Sequence, residues 1–428
     1  MSANARQHVC VIGAGIVGSA TAYALARDGW RVTLVDAHPQ AGQGASRANG
    51  GQLSYSYVEP LATPSALVAL PSWLVSPDSP LRWRPRPEWA HVRWLMSFVA
   101  ACRWSQVRST TEALLALSFL SRDTLHRWLA DEPDDVLRLP SRHARPGKLV
   151  IYRQPGARDV VERQLGWQRD LGCEQRVIEP AECLALEPAL RATGGGPIAF
   201  GVWTADEEVA DASQLADGLA QASGATLRFG VRAQRFETAR HSQIAALQCE
   251  NGVRIEADHF VLAAGPAASL LLRPLGAALP IEPIRGYSIT LPVIDAAAAP
   301  RVSITDSGRK LVHARLGDQL RVAGFAELCG PHAQVDSRRI DALCAAVRET
   351  FPDACDFADP QPWAGLRPAT PSGKPLVGRS RWPNLWINAG HGALGLTLAP
   401  GSATLLASLM KGRGTPPIDP APYALHRH

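Results

Sequence analysis

Three stretches of the chain share one pattern: an apolar, β-branched run that ends in glycines. Residues 8–12 (HVCVI) lead into Gly13, Gly15 and Gly18. The periodicity predicts a strand over 8–12, a tight turn, a helix over 16–28 and a second strand over 31–35. Residues 254–264 alternate and then become wholly apolar, ending VLAAGP, the pattern of a buried parallel strand entering a glycine turn. Near the C-terminus LWINAGHGALG (385–395) repeats the theme. A helix follows over 396–411, its one strong breaker, Pro400, falling in the first turn where proline is tolerated. Between these lie a strand over 147–152, helices over 159–171 and 211–223, and a strand over 226–230. Further strand candidates lie at 287–291, 310–314 and 319–324.

The first stretch also looks like a secretory leader, because Arg6 precedes an apolar run over 9–26 that ends in small residues. Fixed glycine spacing decides against that reading. In a strand–turn–helix, Gly13 permits the sharp turn, Gly15 lets backbone approach a pyrophosphate, and Gly18 lets the helix pack closely on the strand. The turn and helix start, Ala14, Ile16 and Val17 included, then offer N–H groups and a partial positive charge to phosphates. Asp36, eighteen residues past Gly18, is placed to accept from a ribose hydroxyl, with Ala37 beside it. The glycines alone are a weak signal. With two strands, a helix and the acid they specify a dinucleotide site.

A second glycine-rich loop selects the dinucleotide. Gly44, Ala45, Ser46, Asn49, Gly50, Gly51, Gln52 and Leu53 form a small, polar stretch soon after the first unit. Such a loop suits a two-ended cofactor, FAD, lining a diphosphate and then an isoalloxazine edge. Ala263, Ala264 and Gly265 supply another turn at the same end of the sheet. In the third stretch, Gly390, His391, Gly392, Ala393, Leu394, Gly395, Leu396 and Thr397 aim a helix N-terminus at a flavin pyrimidine ring. That end favours negative charge at N1 and the C2 carbonyl.

Composition narrows the remainder. The 428 residues suggest two to three domains, and 46% apolar with 19% charged residues is ordinary for a globular protein. A net charge of +5 is mild, against a nucleic-acid partner. Eight cysteines never come closer than ten residues, so zinc, thioredoxin-like and iron–sulfur sites are not expected and no metal is assigned. Scattered thiols fit a reducing, cytoplasmic setting. No run of eighteen apolar residues is present.

Together these residues resemble the D-amino-acid oxidase and glycine oxidase superfamily of FAD enzymes, and within it the small (catalytic) subunits of bacterial D-amino-acid dehydrogenases. The resemblance runs through the N-terminal fingerprint, Ser46-x-x-Asn49-x-Gly51-Gln52, Arg285-Gly286-Tyr287-Ser288, Gly365-Leu366-Arg367-Pro368-x-Thr370-Pro371-x-Gly373 and His391-Gly392-x-Leu394-Gly395-x-Thr397. It implies an α/β fold: a Rossmann-like FAD-binding domain interleaved with an antiparallel-sheet substrate domain. The expected pieces are 1–88, 200–275 and 360–428 for FAD, and 89–199 and 276–359 for substrate. It further implies that Ala233 touches adenine through backbone, that Gly365 belongs to the cofactor wall and that Arg367 binds the substrate carboxylate, a task suited to a bidentate guanidinium. Weaker site candidates are His391, Tyr57 and Tyr287. Lys310 matches a lysine of the dehydrogenases, either near the flavin or flanking a strand.

The expected chemistry is oxidative deamination of a D-amino acid by hydride transfer from Cα to flavin N5, with electrons passed to a quinone-type acceptor. Three alternatives stand beside it: a cyclic D-imino acid such as 4-hydroxy-D-proline as substrate, an oxygen-using oxidase, and a non-catalytic flavin-binding subunit. Ala393 stands where glycine oxidases carry arginine, and no tyrosine near Leu311 matches their carboxylate-binding one. Both set the chain apart from glycine oxidase proper. Residues 55–59 (YSYVE) replace smaller apolar residues of typical dehydrogenases, which leaves the side-chain pocket open.

Residues 73–108 hold five tryptophans (Trp73, Trp83, Trp89, Trp94, Trp104) interleaved with arginines. Two readings of that stretch are even: a helical pair with solvated arginines, or a peripheral contact with the inner membrane surface.

Overall fold

The computed structural model describes residues 7–58, 60–68, 81–192, 194, 196–239, 243–328 and 330–425; Glu59 and Trp73 lie outside them. Strand His8–Ile12 runs through a six-stranded sheet, parallel to Arg31–Val35 on one side and His259–Leu262 on the other. Thr226–Arg228 extends the sheet beyond Arg31–Val35; Leu385–Ala389 and then Leu376–Arg379 extend it the other way, the last antiparallel. Strand alternation explains why these segments are apolar throughout. Val9, Val11 and Leu34 enter the core beneath helices Ile16–Arg27, Ala212–Ala222 and Gly395–Lys411, while Cys10, Ile12, Phe260 and Leu262 enter another on the opposite face. That second face is covered by a three-stranded antiparallel sheet, Ala233–Thr238, Ile244–Cys249 and Arg254–Glu256.

The single strand expected over 254–264 is therefore two, in different sheets. Asp258 marks the crossing: its carboxylate accepts from the His8 N–H at 2.7 Å and its own N–H donates to the His8 carbonyl at 3.0 Å.

A larger sheet holds the other half. Its order is Gln361–Ala369, Glu282–Pro292, Gln319–Leu328, Leu311–Leu316, Ser303–Asp306, Lys148–Tyr152, Phe200–Thr204 and Gln175–Ile178. Neighbours are antiparallel except Ser303–Asp306 with Lys148–Tyr152, and the short Leu81–Trp83 added alongside Gln319–Leu328. The chain is thus α/β, a Rossmann-like sheet interleaved with a mainly antiparallel one. Because Leu81–Trp83, Phe200–Thr204 and Gln361–Ala369 all pair in the large sheet, we propose that the domain cuts expected near 88, 200 and 360 fall before the first of these strands and after the other two.

The C-terminal helix closes the cofactor side. It begins at Gly395, after a 3-10 turn at Gly392–Leu394, so Pro400 sits in its second turn and not its first. It packs on the 28-residue helix Trp104–Asp131 through Gly401, whose N–H donates to Ser121 Oγ at 3.0 Å. A Cβ on Gly401 would stand 2.6 Å from the Leu117 carbonyl oxygen, closer than packed atoms allow. Seven described cysteines are buried and unpaired.

Gly401→Ala is expected to lower stability by about 1–3 kcal/mol through overpacking. Gly166→Ala, in a helix where an added Cβ meets open space, should instead be neutral or stabilising by up to about 1 kcal/mol. Urea or thermal unfolding midpoints of the two variants test the contrast.

Candidate active site

Between the two sheets lies a continuous cleft of about 2480 Å³, well above the ~300–1,000 Å³ of a site for one small ligand. Its cofactor end is built by close backbone contacts. Gly13, at φ +102°, donates its N–H to the Val35 carbonyl at 2.8 Å, and a Cβ there would lie 2.6 Å from the Ala263 oxygen. A Cβ on Gly18 would sit 1.7 Å from the Gly13 oxygen, so helix and turn touch backbone to backbone. Gly15 meets only Ser46 Oγ, at 3.5 Å, and lines the cleft. Ser46 takes one helix-terminal donor, the Ile16 N–H, at 3.0 Å.

Asp36 does more than the sequence implied. Its carboxylate accepts from Ala14 N–H at 2.7 Å and from His38 N–H and Nδ1, both at 2.8 Å. Three of its roughly four lone-pair sites are occupied, which leaves one for a ribose hydroxyl. The acid therefore shapes the glycine turn as well as facing the cleft. Asn388, buried on strand Leu385–Ala389, also lines the cleft; its Nδ2 donates to Thr21 Oγ1 at 2.9 Å while its Oδ1 has no hydrogen-bond partner among the described residues. That orphaned acceptor, the open Gly15 and the free Asp36 site fit a hydroxyl-rich dinucleotide.

The second glycine loop is clamped by the large sheet. Ser288 Oγ donates to the Ala48 carbonyl at 2.6 Å, Gln52 Nε2 to Ser303 Oγ at 2.6 Å, and Arg321 reaches the Asn49 carbonyl at 3.2 Å. Gly50 faces Val312 so closely that a Cβ would lie 2.8 Å from its methyl. Of the cofactor residues expected from sequence, Gly13, Gly15, Ile16, Val17, Asp36, Ala37, Gly44, Ala45, Ser46, Asn49, Gly50, Gly51, Gln52, Ala233, Ala263, Ala264, Gly265, Gly365 and the eight of 390–397 line the cleft. Ala14, Gly18 and Leu53 stand behind its wall, holding the turn, the helix and the core.

At the other end, Arg367 lines the cleft from strand Gln361–Ala369. Its guanidinium lies over Gly286, where a Cβ would come within 2.4 Å of Nη2, and the Trp363 ring lies over Gly365 in the same way. Gly286 and Gly365 are cross-strand partners, so bare backbone forms the floor on which both side chains rest. Arg367 donates to the Phe325 carbonyl at 2.9 Å, and Phe325 holds an unusual φ of +60°. Among the described residues no carboxylate pairs with Arg367, and burial lowers its pKa to about 10, so it remains charged at neutral pH.

The weaker candidates separate. Tyr57 lines the cleft with Lys148 Nζ 4.3 Å from its ring centre. The Tyr287 hydroxyl donates to Glu327 at 2.8 Å, and burial together with that acid pushes its pKa to about 12; its hydroxyl serves the wall, not the cleft. His391 turns its ring away as well, to Ser402 Oγ at 3.0 Å inside the C-terminal helix. Burial lowers its pKa to about 3, so the ring is neutral and acts as a tie. Lys310 is exposed in a left-handed turn outside the cleft. Asn388, Trp363 and Lys148 line the cleft without having stood out in the sequence as site residues. Lys148 left one signal: it is one of four lysines, and it heads an apolar strand.

Buried His391 gives the stability a pH dependence. Its folded pKa lies below the ordinary 6.5, so the unfolded chain binds more protons between about pH 3 and 6.5. Its contribution is complete above 6.5 and lost as pH falls through that window, by at most about 1.4 kcal/mol per pH unit. His391→Asn should flatten the acid limb of a melting-temperature profile without removing it, since burial lowers His313 to about 4 by the same mechanism.

Comparison with known proteins agrees with this geometry. Residues 8–409 match the family model DAO, FAD dependent oxidoreductase. "D-amino acid dehydrogenase 2" of Ralstonia nicotianae is 47% identical over 432 residues, spanning 98% of this chain and all of that protein. The protein of the same name from Pseudomonas aeruginosa is 46% identical over 417 residues, 96% of this chain and 97% of its own. Among solved structures, glycine oxidase from Geobacillus kaustophilus superposes with a TM-score of 0.76 at 22% identity, covering 99% of each chain. L-proline dehydrogenase from P. horikoshii gives 0.73 at 16%, covering 96% of this chain and 95% of that one. These low-identity likenesses carry the fold, and the family model spans nearly the whole sequence: the chain belongs to the DAO family of FAD-dependent oxidoreductases.

Proposed function

We propose that the protein is a FAD-dependent dehydrogenase that oxidises D-amino acids to 2-oxo acids and ammonia and passes the electrons to a quinone-type acceptor. The observation that carries this reading is Arg367: a half-buried, charged guanidinium, without an acidic partner among the described residues, on the wall of the cofactor cleft. A cation in that setting calls for an anion, and an amino-acid carboxylate supplies one with matching two-pronged geometry. The close relatives named D-amino acid dehydrogenase support the substrate class.

Bound FAD supplies the hydride acceptor at N5. The chain's own part is positioning. Gly13, Gly15, Ser46 and Asp36 hold the dinucleotide, and the loop carrying Gly50 to Gln52 is held between cofactor helix and large sheet. Arg367 fixes the carboxylate, and its bond to the Phe325 carbonyl fixes Arg367. With the carboxylate held, Cα is oriented toward the cofactor, and much of the rate gain comes from that fixed approach. Trp363, whose ring lies over Gly365, lines the same stretch of the cleft as Arg367.

The acceptor side rests on helix Trp89–Ala101. One face buries Trp94 and Phe98; the other exposes Trp89 (69%), Arg93, Met96 and Val99, and Trp104 beyond its end is 66% exposed. Arg93, Met96 and Arg103 also border the cleft. Neither arginine has an ion pair among the described residues. Indole and guanidinium together suit an anionic bilayer surface, where a quinone is available. Among the described residues one helical stretch, Gly392–Lys411, is long and apolar enough to cross a membrane, and it is 67% buried inside the fold. The contact we propose is peripheral.

The purified protein should be yellow and should bleach without air on adding D-amino acids, with cyclic D-imino acids in the same panel; a flavin that none of them reduces would sink the substrate class. Reoxidation should be faster with a quinone analogue than with air. Arg367→Ala should weaken substrate binding by roughly thirtyfold or more, about 2 kcal/mol, and leave the flavin spectrum intact. For the surface, an Arg93→Ala/Arg103→Ala variant should bind phosphatidylglycerol-containing vesicles about thirtyfold more weakly in sedimentation, at about 1 kcal/mol per arginine, with unchanged turnover of a soluble quinone analogue.

A further inference from the structure

Lys148 is the buried charge that the reading above does not use. It heads strand Lys148–Tyr152, is 1% exposed, and still lines the cleft. Its Nζ donates to Ser54 Oγ at 2.7 Å and lies over the Tyr57 ring. Ser54 in turn donates its N–H to Thr397 Oγ1 at 3.1 Å, and Thr397 is in the first turn of the helix that opens toward the cofactor. One serine therefore links Lys148 to the positive end of that helix.

The distance from Arg367 separates the two cations by task. Their strands are five apart along the large sheet, about 24 Å at ~4.8 Å per strand. A lysine in such a place is also a poor choice for stability, since an apolar side chain would fill the space without the cost of desolvating a charge.

The acid whose charge acts on it is Glu207, which is held by Ser56, two residues along from the Ser54 that Lys148 bonds. One carboxylate oxygen accepts from the Ser56 N–H at 2.8 Å and the other is buried. The neighbouring acids are committed elsewhere: Asp206 to Arg122, and Glu208 to His126, His143, Arg145 and Tyr55. Burial lowers the proton affinity of Lys148 and raises that of Glu207, and the charge of each opposes the shift in the other.

We infer that Lys148, linked through Ser54 to Thr397, adds a positive charge to the cofactor end of the cleft and stabilises reduced flavin, with Glu207 as the opposing charge that limits its effect. Reduction leaves negative charge on the flavin pyrimidine, the kind of charge a helix N-terminus also favours. Lys148 and Glu207 thus set the flavin potential in opposite directions. The inference rests on the FAD reading and does not depend on which amino acid is oxidised.

Two variants of similar shape test it: Lys148→Met and Glu207→Gln, each as flavin-loaded protein. Sulfite, which adds to flavin N5 and bleaches its visible band, is the probe, and dye-equilibration potentials are the second readout. Lys148→Met should bind sulfite roughly tenfold more weakly, with the potential lower by about 30 mV, the two-electron equivalent of tenfold. Glu207→Gln should move both quantities the other way. A merely structural pair would give changes of the same sign, or none, and either result overturns the inference. If Lys148→Met does not fold, the sign for Glu207→Gln decides alone: tighter sulfite binding supports the inference, and weaker or equal binding overturns it. Wild-type protein that carries no flavin would overturn the FAD reading itself, a separate failure visible before any titration.

Discussion

The contact on which the site depends is the one between Gly13 and Gly18, where the carbonyl of the turn occupies the position a side chain would need on the helix. That contact sets how closely helix Ile16–Arg27 lies on the central strand. It thereby fixes where the helix N-terminus points. Ala263 presses on the same turn from the end of the neighbouring strand, its carbonyl against Gly13 and its methyl toward Gly18. Asp36 then ties the turn to the end of the second strand through Ala14. The cofactor end of the cleft is consequently made of main chain, which is rigid and presents N–H groups at fixed directions.

Much of this was legible in the sequence because it depends on residues that have no substitute. A glycine at φ +102° or one packed against a carbonyl leaves a mark that no other residue can imitate. The apolar strands were readable for the same kind of reason, since both faces of the sheet are covered. Other features escaped. The crossing at Asp258 was hidden because the alternating Arg254–Glu256 runs into the apolar His259–Leu262 with no glycine or proline between them, and the tertiary pairing with His8 decides where one ends. Lys148 was hidden because its role arises from Ser54, Tyr57 and Glu207, which lie far from it in sequence and near it in space. His391 and Tyr287 show the converse: polar residues inside specific motifs whose polar atoms hold the scaffold together.

Two cations, Arg367 half-buried and Lys148 fully buried, bound the working part of the cleft under different electrostatic rules. Arg367 is held by a single backbone carbonyl and has no counter-ion among the described residues, so an arriving anion meets a charge whose desolvation is already built into the fold. Lys148 is balanced by Glu207, and its field is correspondingly moderate. An uncompensated charge suits capture, and a compensated one suits adjustment. The large sheet supplies both, five strands apart, from a single surface.

The interleaving of the two sheets also has a consequence for how the protein is made. The first strand pairs with one that follows it by about 250 residues. At a synthesis rate of 5–20 residues per second, the N-terminal strand waits roughly 12 to 50 s on the ribosome before its neighbour exists. Strand Leu385–Ala389 and the helix after it arrive later still. The nascent chain therefore carries the apolar His8–Ile12 segment without its native cover for most of translation, a period in which chaperone binding would protect the edge that later becomes the centre of the cofactor sheet.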